Sequence, residues 1–284
     1  MSHQTQSQAQ IQTPAQIYPI AAAFARAREE GRTALLPYVM AGYPDAATSE
    51  ALALALGEAG ADLLELGVPF SDPMADGATI QAASHSALEG GMTLTGALAL
   101  AKRVAARIAT PLVMMTYYNP IFNMGIGPFC EAAADAGIVG LIVPDLPPEE
   151  SEPLRTAASQ HGIALIFLVT PTSPDERLAQ VAAAAKDSGG FLYCVSLSGT
   201  TGARDRLPEH LGEFLARVRS HSDLPLAVGF GVSRAEHVAE ISTMADGAVV
   251  ASALLNAVDA APESERVSAA VEYLRSLQSG ARRA

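Results

Sequence analysis

The sequence is poor in lysine, in cysteine and in positive charge overall, and each shortage removes a class of chemistry. Its 284 residues carry 18 Lys and Arg against 30 Asp and Glu, a formal net charge of −12. Affinity for nucleic acid comes largely from clustered basic side chains, and with no basic stripe to supply it a phosphate-backbone partner is excluded. The only lysines are Lys102 and Lys186, both in stretches that read as helices. A Schiff-base aldolase needs a lysine on a barrel strand, and pyridoxal phosphate bound as an internal aldimine needs one too, so both chemistries drop out. Cys130 and Cys194 stand singly in apolar stretches, with no CxxC or Cys/His cluster. They read as free buried thiols and not as a disulfide framework or a zinc site. His85, His161, His210, His221 and His237 fall on helices or helix ends, and His3 lies near the N-terminus, so no metal centre is expected. No run reaches the length of a membrane span, and the Gln- and Ser-rich residues 1–15 lack the basic and apolar regions of a signal peptide. A disordered tail on a soluble, cytoplasmic protein is the expectation.

What is present is a 49% hydrophobic, 17% charged chain in which β-branched or Leu-rich runs alternate with Ala-rich helical stretches. That alternation is the pattern of βα units around a parallel sheet. Candidate strands cover 34–40, 63–68, 112–117, 140–143, 164–169, 191–195, 226–228 and 248–251. Helical stretches cover 48–59, 78–88, 94–108, 129–136, 150–160, 174–185, 211–219, 234–242 and 264–277. Eight strands, each followed by a helix, predict an α/β fold of the (β/α)8 TIM-barrel type, formed by a single domain over 16–280. A doubly wound sheet is the structural alternative. One extra helix, over 20–29, precedes the first strand and is free to plug the bottom of the barrel.

Barrel enzymes place their chemistry at the C-terminal ends of the strands, so the polar residues there matter most. The second strand carries Glu65 between Leu64 and Leu66, and the pleat puts the glutamate on one face and the leucines on the other. An inward Glu65 is desolvated, its pKa rises, and it can deliver or accept a proton near neutral pH. A structural pairing with an arginine is the alternative. The loop that follows, PFSDPMADG, brings Asp72 and Asp76 as candidates for a second carboxylate, with helix capping or turn formation as their other role. Since lysine and metal chemistry are excluded, acid/base catalysis by carboxylates remains.

An anion site is expected at the other end of the chain, where TIM barrels hold phosphates between the last loops and a short helix N-terminus. The seventh strand runs into Gly229-Phe230-Gly231, the eighth into Ala251-Ser252, and the loop after the sixth reads SLSGTTGAR. Glycines admit close backbone approach to an oxyanion, and Ser252 offers both its hydroxyl and its N–H. Tight-turn sterics are the competing explanation for each glycine.

Six segments, LELGVPFSDPMADG, Tyr117 to Pro120, VPDLPPEE, LVTPTSPDER, SLSGTTGAR and GFGVS, closely resemble the tryptophan synthase α chain family and occur in its order. The likeness runs from about residue 34 to residue 255. It implies a lyase of the last steps of L-tryptophan biosynthesis, which splits indole-3-glycerol phosphate by a retro-aldol-like step into indole and glyceraldehyde 3-phosphate. By that resemblance Glu65 carries the proton to indole C3, and Asp76 hydrogen-bonds the indole N–H. Tyr117 and Asn119 match positions around the indole, Tyr193 a tyrosine near the glutamate, and Thr201 a lid residue. Gly202, Gly231, Ala251 and Ser252 match phosphate positions, with Ala251 where glycine is commoner; backbone donation survives there if φ stays negative. The resemblance also implies no cofactor in this chain, a pyridoxal-phosphate β subunit as partner in an α2β2 assembly, and docking through Pro73, Met74 and 144–148. A free-standing lyase and a non-catalytic barrel that binds a partner are the alternatives.

Overall fold

The computed structural model describes residues 18–186, 188–195, 207–229 and 231–283. Its strands are β1 (Ala34–Met40), β2 (Leu64–Gly67), β3 (Leu112–Met115), β4 (Ile138–Ile142), β5 (Ala164–Val169), β6 (Leu192–Val195), β7 (Leu226–Gly229) and β8 (Gly247–Val250). They pair in sequence order, all parallel, and β8 returns to β1. The result is the expected (β/α)8 barrel, and its closure rules out the doubly wound alternative. Every position of β1 is buried, because one face meets the barrel interior and the other the helical layer.

The helices are α1 (Pro19–Glu29), α2 (Ala46–Glu58), α3 (Ala78–Glu89), α4 (Leu94–Ala105), α5 (Tyr118–Met124), α6 (Ile126–Asp135), α7 (Glu152–Gln160), α8 (Asp175–Ala185), α9 (Leu211–His221), α10 (Ala235–Ser242), α11 (Ser252–Ala260) and α12 (Arg266–Ala281). Asp45 caps α2 by accepting the Thr48 N–H, and Thr93 caps α4 by accepting that of Gly96. Two helices differ from the sequence expectation. Residues 118–124 form α5 in a stretch that does not read as helical, and α11 begins at Ser252, directly behind Ala251, the end of the stretch that reads as the last strand. The expected tail, 1–15, lies outside the described residues.

The pleat sorts β2 as expected. Leu64 and Leu66 join the outer layer with Leu52 and Leu56 of α2 and Leu98 and Leu100 of α4. The inner layer is smaller and is sealed from below by α1. Its residues Ile20, Ala23, Phe24 and Ala27, spaced three and four apart, lie on one helical face and pack with Leu36, Leu63 and Phe191 inside the barrel. Phe24 meets Phe191 with ring centroids 5.5 Å apart. Burying such a ring contributes about 1.5–3 kcal/mol. Charge fastens the plug: Arg28 donates to Asp246 at 3.0 Å, and Arg26 lies 3.8 Å from Asp62. Arg32 grips the same Asp62 through two bonds of 2.6 and 2.8 Å. Arg282 forms an antiparallel bridge with Arg32, so both ends of the barrel chain meet at this closed floor. The chemistry is left to the opposite end.

Candidate active site

At the C-terminal end of the strands a cavity of about 490 Å³ opens among Glu65, Asp76, Tyr193, Gly231, Ala251 and Ser252. β2 delivers Glu65, which is 3% exposed although charged side chains are rarely so buried. Its Oε2 accepts the Tyr193 hydroxyl at 3.4 Å, and its Oε1 accepts nothing among the described residues. No arginine pairs with it there, so the structural alternative fails. Burial is the main reason its pKa is pushed up to about 8; repulsion from Asp76 adds to that, and the Tyr193 bond opposes it. At neutral pH Glu65 is therefore a carboxylic acid with a proton to give.

The loop after β2 carries the second carboxylate. Buried Ser84 of α3 fixes its start, accepting the Phe70 N–H at 2.8 Å and donating to the Phe70 carbonyl at 3.0 Å. Asp76 accepts the Tyr117 hydroxyl at 3.0 Å, and the same phenol oxygen accepts the Ala75 N–H at 3.0 Å. One tyrosine thus holds both the loop backbone and the carboxylate. Desolvation raises the Asp76 pKa and the Tyr117 bond lowers it, with a net rise. Asp72 is exposed, accepts the Ser71 hydroxyl, and takes the turn role.

Tyr117 caps the N-terminus of α5 and stacks on Phe70 at 5.0 Å between ring centroids. Asn119 is exposed on α5, where it accepts from Asn123 at 3.3 Å, and it does not line the cavity. Tyr193 of β6 lines it and leans over Gly229, where a Cβ would stand 2.7 Å from the ring. Gly231 has φ of +75°, open to glycine and strained for other residues. Ala251 keeps φ at −113°, so the condition for backbone donation is met, and Ser252 opens α11 facing the cavity. Thr201 and Gly202 lie outside the described residues.

Sequence reasoning missed Tyr38 and Arg177, which also line the cavity. Tyr38 falls within the strand stretch 34–40 with nothing local to single it out, and only its register opposite Glu65 reveals it. Arg177, on α8, pairs with Glu149 at 2.5 Å and ties together two loops at the mouth. The lysines sit elsewhere: Lys102 on α4 pairs with Asp135 at 2.6 Å, and Lys186 caps the end of α8. Cys130 and Cys194 are free and buried. Among the described residues no group of His, Cys, Asp or Glu is gathered as metal ligands would be, and no helix is long and apolar enough to cross a membrane.

The family model described as tryptophan synthase alpha chain matches residues 24–282. The tryptophan synthase alpha chain of Roseiflexus sp. strain RS-1 is 52% identical over 260 residues, covering 91% of this chain and 98% of the relative. That of Chloroflexus aurantiacus is 48% identical over 265 residues, covering 93% and 98%. Among solved structures, a chain of Mycobacterium tuberculosis tryptophan synthase superposes with a TM-score of 0.86 at 38% identity, covering 93% of this chain and 98% of that one. A chain of the tryptophan synthase a2b2 complex of Pyrococcus furiosus gives 0.81 at 38% identity, covering 87% and 99%. With the barrel closed, its floor plugged and two carboxylates facing one chamber, the chain belongs to the tryptophan synthase alpha chain family.

Proposed function

We propose that Glu65 carries the proton transfers by which this lyase cleaves indole-3-glycerol phosphate, while Asp76 stabilises the charge they create. The reading rests on one observation: Glu65 is a buried acid with a free oxygen, facing a cavity that ends in Gly231 and Ser252. Glu65 gives its proton to indole C3, and positive charge spreads to the ring nitrogen. Asp76 accepts the indole N–H and stabilises that charge where it develops, which favours the transition state over the ground state. The C3–glycerol bond then breaks, its electron pair restores the indole ring, and the glycerol hydroxyl proton passes to the Glu65 carboxylate. Indole and glyceraldehyde 3-phosphate result, and Glu65 ends as it began.

Tyr117 holds Asp76 beside the indole region. Tyr193 steadies Glu65. Phosphate is held by backbone and hydroxyl donors at Gly202, Gly231, Ala251 and Ser252, where the N-terminus of α11 adds its dipole. Thr201 belongs to a lid that closes over the chamber. The chain works in the cytoplasm as a single catalytic domain over 16–280, and its tail, 1–15, is dispensable.

By likeness to the Pyrococcus furiosus a2b2 complex, the partner is a β subunit in an α2β2 assembly. Pyridoxal phosphate resides in that subunit, and this chain carries no cofactor. Met74 is 82% exposed and Phe122 is 65% exposed. Both are near the cavity end of the barrel, where, with Pro73 and 144–148, they form the docking surface.

Indole release by the purified chain and by Glu65→Gln, each with and without the β subunit, tests the reading. Slow turnover that rises with the partner and vanishes in the variant is expected. Undiminished turnover in Glu65→Gln would overturn the assignment, and full turnover by the chain alone would mark a free-standing lyase.

A further inference from the structure

The polar groups inside the chamber do not balance. Glu65 Oε1 is buried and accepts no hydrogen bond among the described residues, while Oε2 has only the long bond from Tyr193, 3.4 Å. Buried polar atoms are almost always partnered, so an orphan acceptor at a reactive group calls for a donor. A spare donor is at hand. Tyr38 of β1 stands directly opposite Glu65 of β2 in the parallel ladder, so both side chains enter the barrel on the same face. The phenol is buried, and among the described residues its O–H is directed at nothing better than the Met40 sulfur, 3.8 Å away. A thioether is a weak acceptor.

Gly67 makes room for this arrangement, since a Cβ there would lie 1.9 Å from the Tyr38 oxygen. Gly67 is two residues beyond Glu65 on the same face, so the phenol enters the chamber one layer above the glutamate. Tyr193 is seated over Gly229 in the same manner from the other side of the barrel. Among the described residues, the ionisable groups that share the chamber with Glu65 are Tyr38 from β1, Asp76 from the loop after β2, Tyr193 from β6 and Arg177 at the mouth. Tyr117 stands behind Asp76, Arg177 is engaged by Glu149, and the remaining wall at Met115, Ile142 and Leu168 is apolar. Burial, then Asp76 and Glu65, keep the Tyr38 proton on its oxygen, so it stays a donor.

We propose that Tyr38 is a positioning residue for Glu65, its O–H leaving the Met40 sulfur to donate to Glu65 Oε1 whenever that carboxyl is ionised. The function of this bond rests on the reading of Glu65 as the acid and base. Between giving a proton to C3 and recovering one from the glycerol hydroxyl, Glu65 is an anion in a dry chamber. Tyr193 serves one oxygen in that interval and Tyr38 the other, so the carboxylate is held in place and its high proton affinity is kept within a useful range.

Tyr38→Phe keeps the ring and removes only the hydroxyl. Two readouts are taken on the full chain: the ¹³C NMR titration of the Glu65 carboxyl without substrate, and indole release as a function of pH. Loss of a donor to the anion should raise the Glu65 titration midpoint by about one pH unit. Hydrogen bonds to charged groups are strong enough for kcat to fall about tenfold, while KM stays within about twofold. An unchanged midpoint with unchanged kcat would overturn the proposal. A raised midpoint in a chain whose wild type releases no indole would uphold the hydrogen bond and overturn the reading of function instead.

Discussion

Replacing Glu65 by glutamine should stabilise the protein against unfolding, increasingly so as the pH rises. The folded carboxyl titrates at about 8, against an ordinary value of 4.5. Below pH 4.5 it is protonated whether the chain is folded or not, and burial costs little. Between those values the unfolded chain releases the proton and the folded chain retains it, so wild-type stability falls steadily. Above pH 8 both forms are ionised and the penalty is constant. At about 1.4 kcal/mol for each pH unit of displacement, the full penalty is about 5 kcal/mol. For a chain of this size that corresponds to roughly 10–20 °C in melting temperature. Urea unfolding followed by circular dichroism at pH 5, 6, 7 and 8 measures it, with wild type and Glu65→Gln side by side. The gap should widen across that range while the variant loses indole release. A gap that stays constant from pH 5 to pH 8 would mean that Glu65 titrates normally in the folded chain, and the argument for a buried acid would be wrong.

Two further substitutions probe the floor and the wall of the barrel. Asp246→Asn removes the carboxylate that accepts Arg28 at 3.0 Å, Arg219 at 2.5 Å and the Leu226 N–H at 3.0 Å, and, because those arginines are partly exposed to solvent, should cost about 1–3 kcal/mol in urea unfolding at pH 7. Burial pushes this carboxyl up, but the Leu226 N–H and the Arg219 guanidinium outweigh it and hold the pKa below 3.8, so the wild-type advantage is present above that pH and is lost as the pH falls through the lowered value. Gly67→Ala places a Cβ 1.9 Å from the Tyr38 oxygen and should cost about 1–3 kcal/mol together with a fall in kcat/KM. Combined with Tyr38→Ala it should cost less than the two changes added separately, which a double-mutant cycle by urea unfolding measures.

The sequence exposes what depends on neighbours along the chain and hides what depends on neighbours across it. Leu64, Glu65 and Leu66 alternate, so the pleat alone sends the glutamate to the inner face. The helix over 20–29 precedes the first strand, and that order alone leaves it free to plug the barrel, as α1 does. The helix α11 escaped notice because Ala251 offers no capping side chain and Ser252 follows the strand with no intervening loop. Missing α5 had a consequence for the site. Tyr117 turns toward Asp76, but two residues further along a helix a side chain lies about 200° round, and Asn119 is accordingly exposed. Tyr38 was hidden for a different reason: its meaning comes from the residue opposite it in the next strand, and register is not written in either strand alone.

Because β1 finds one of its two ladder partners in β8, the strand synthesised first among the eight waits for the strand synthesised last. In the unfolded chain Glu65 faces water and is as acidic as any other glutamate. Folding buries that side chain and raises its pKa to about 8, so refolding at pH 6 to 7 draws a proton out of solution. Proton uptake by one side chain thereby reports the burial that a closed ring of strands brings, readable with an indicator dye in weak buffer.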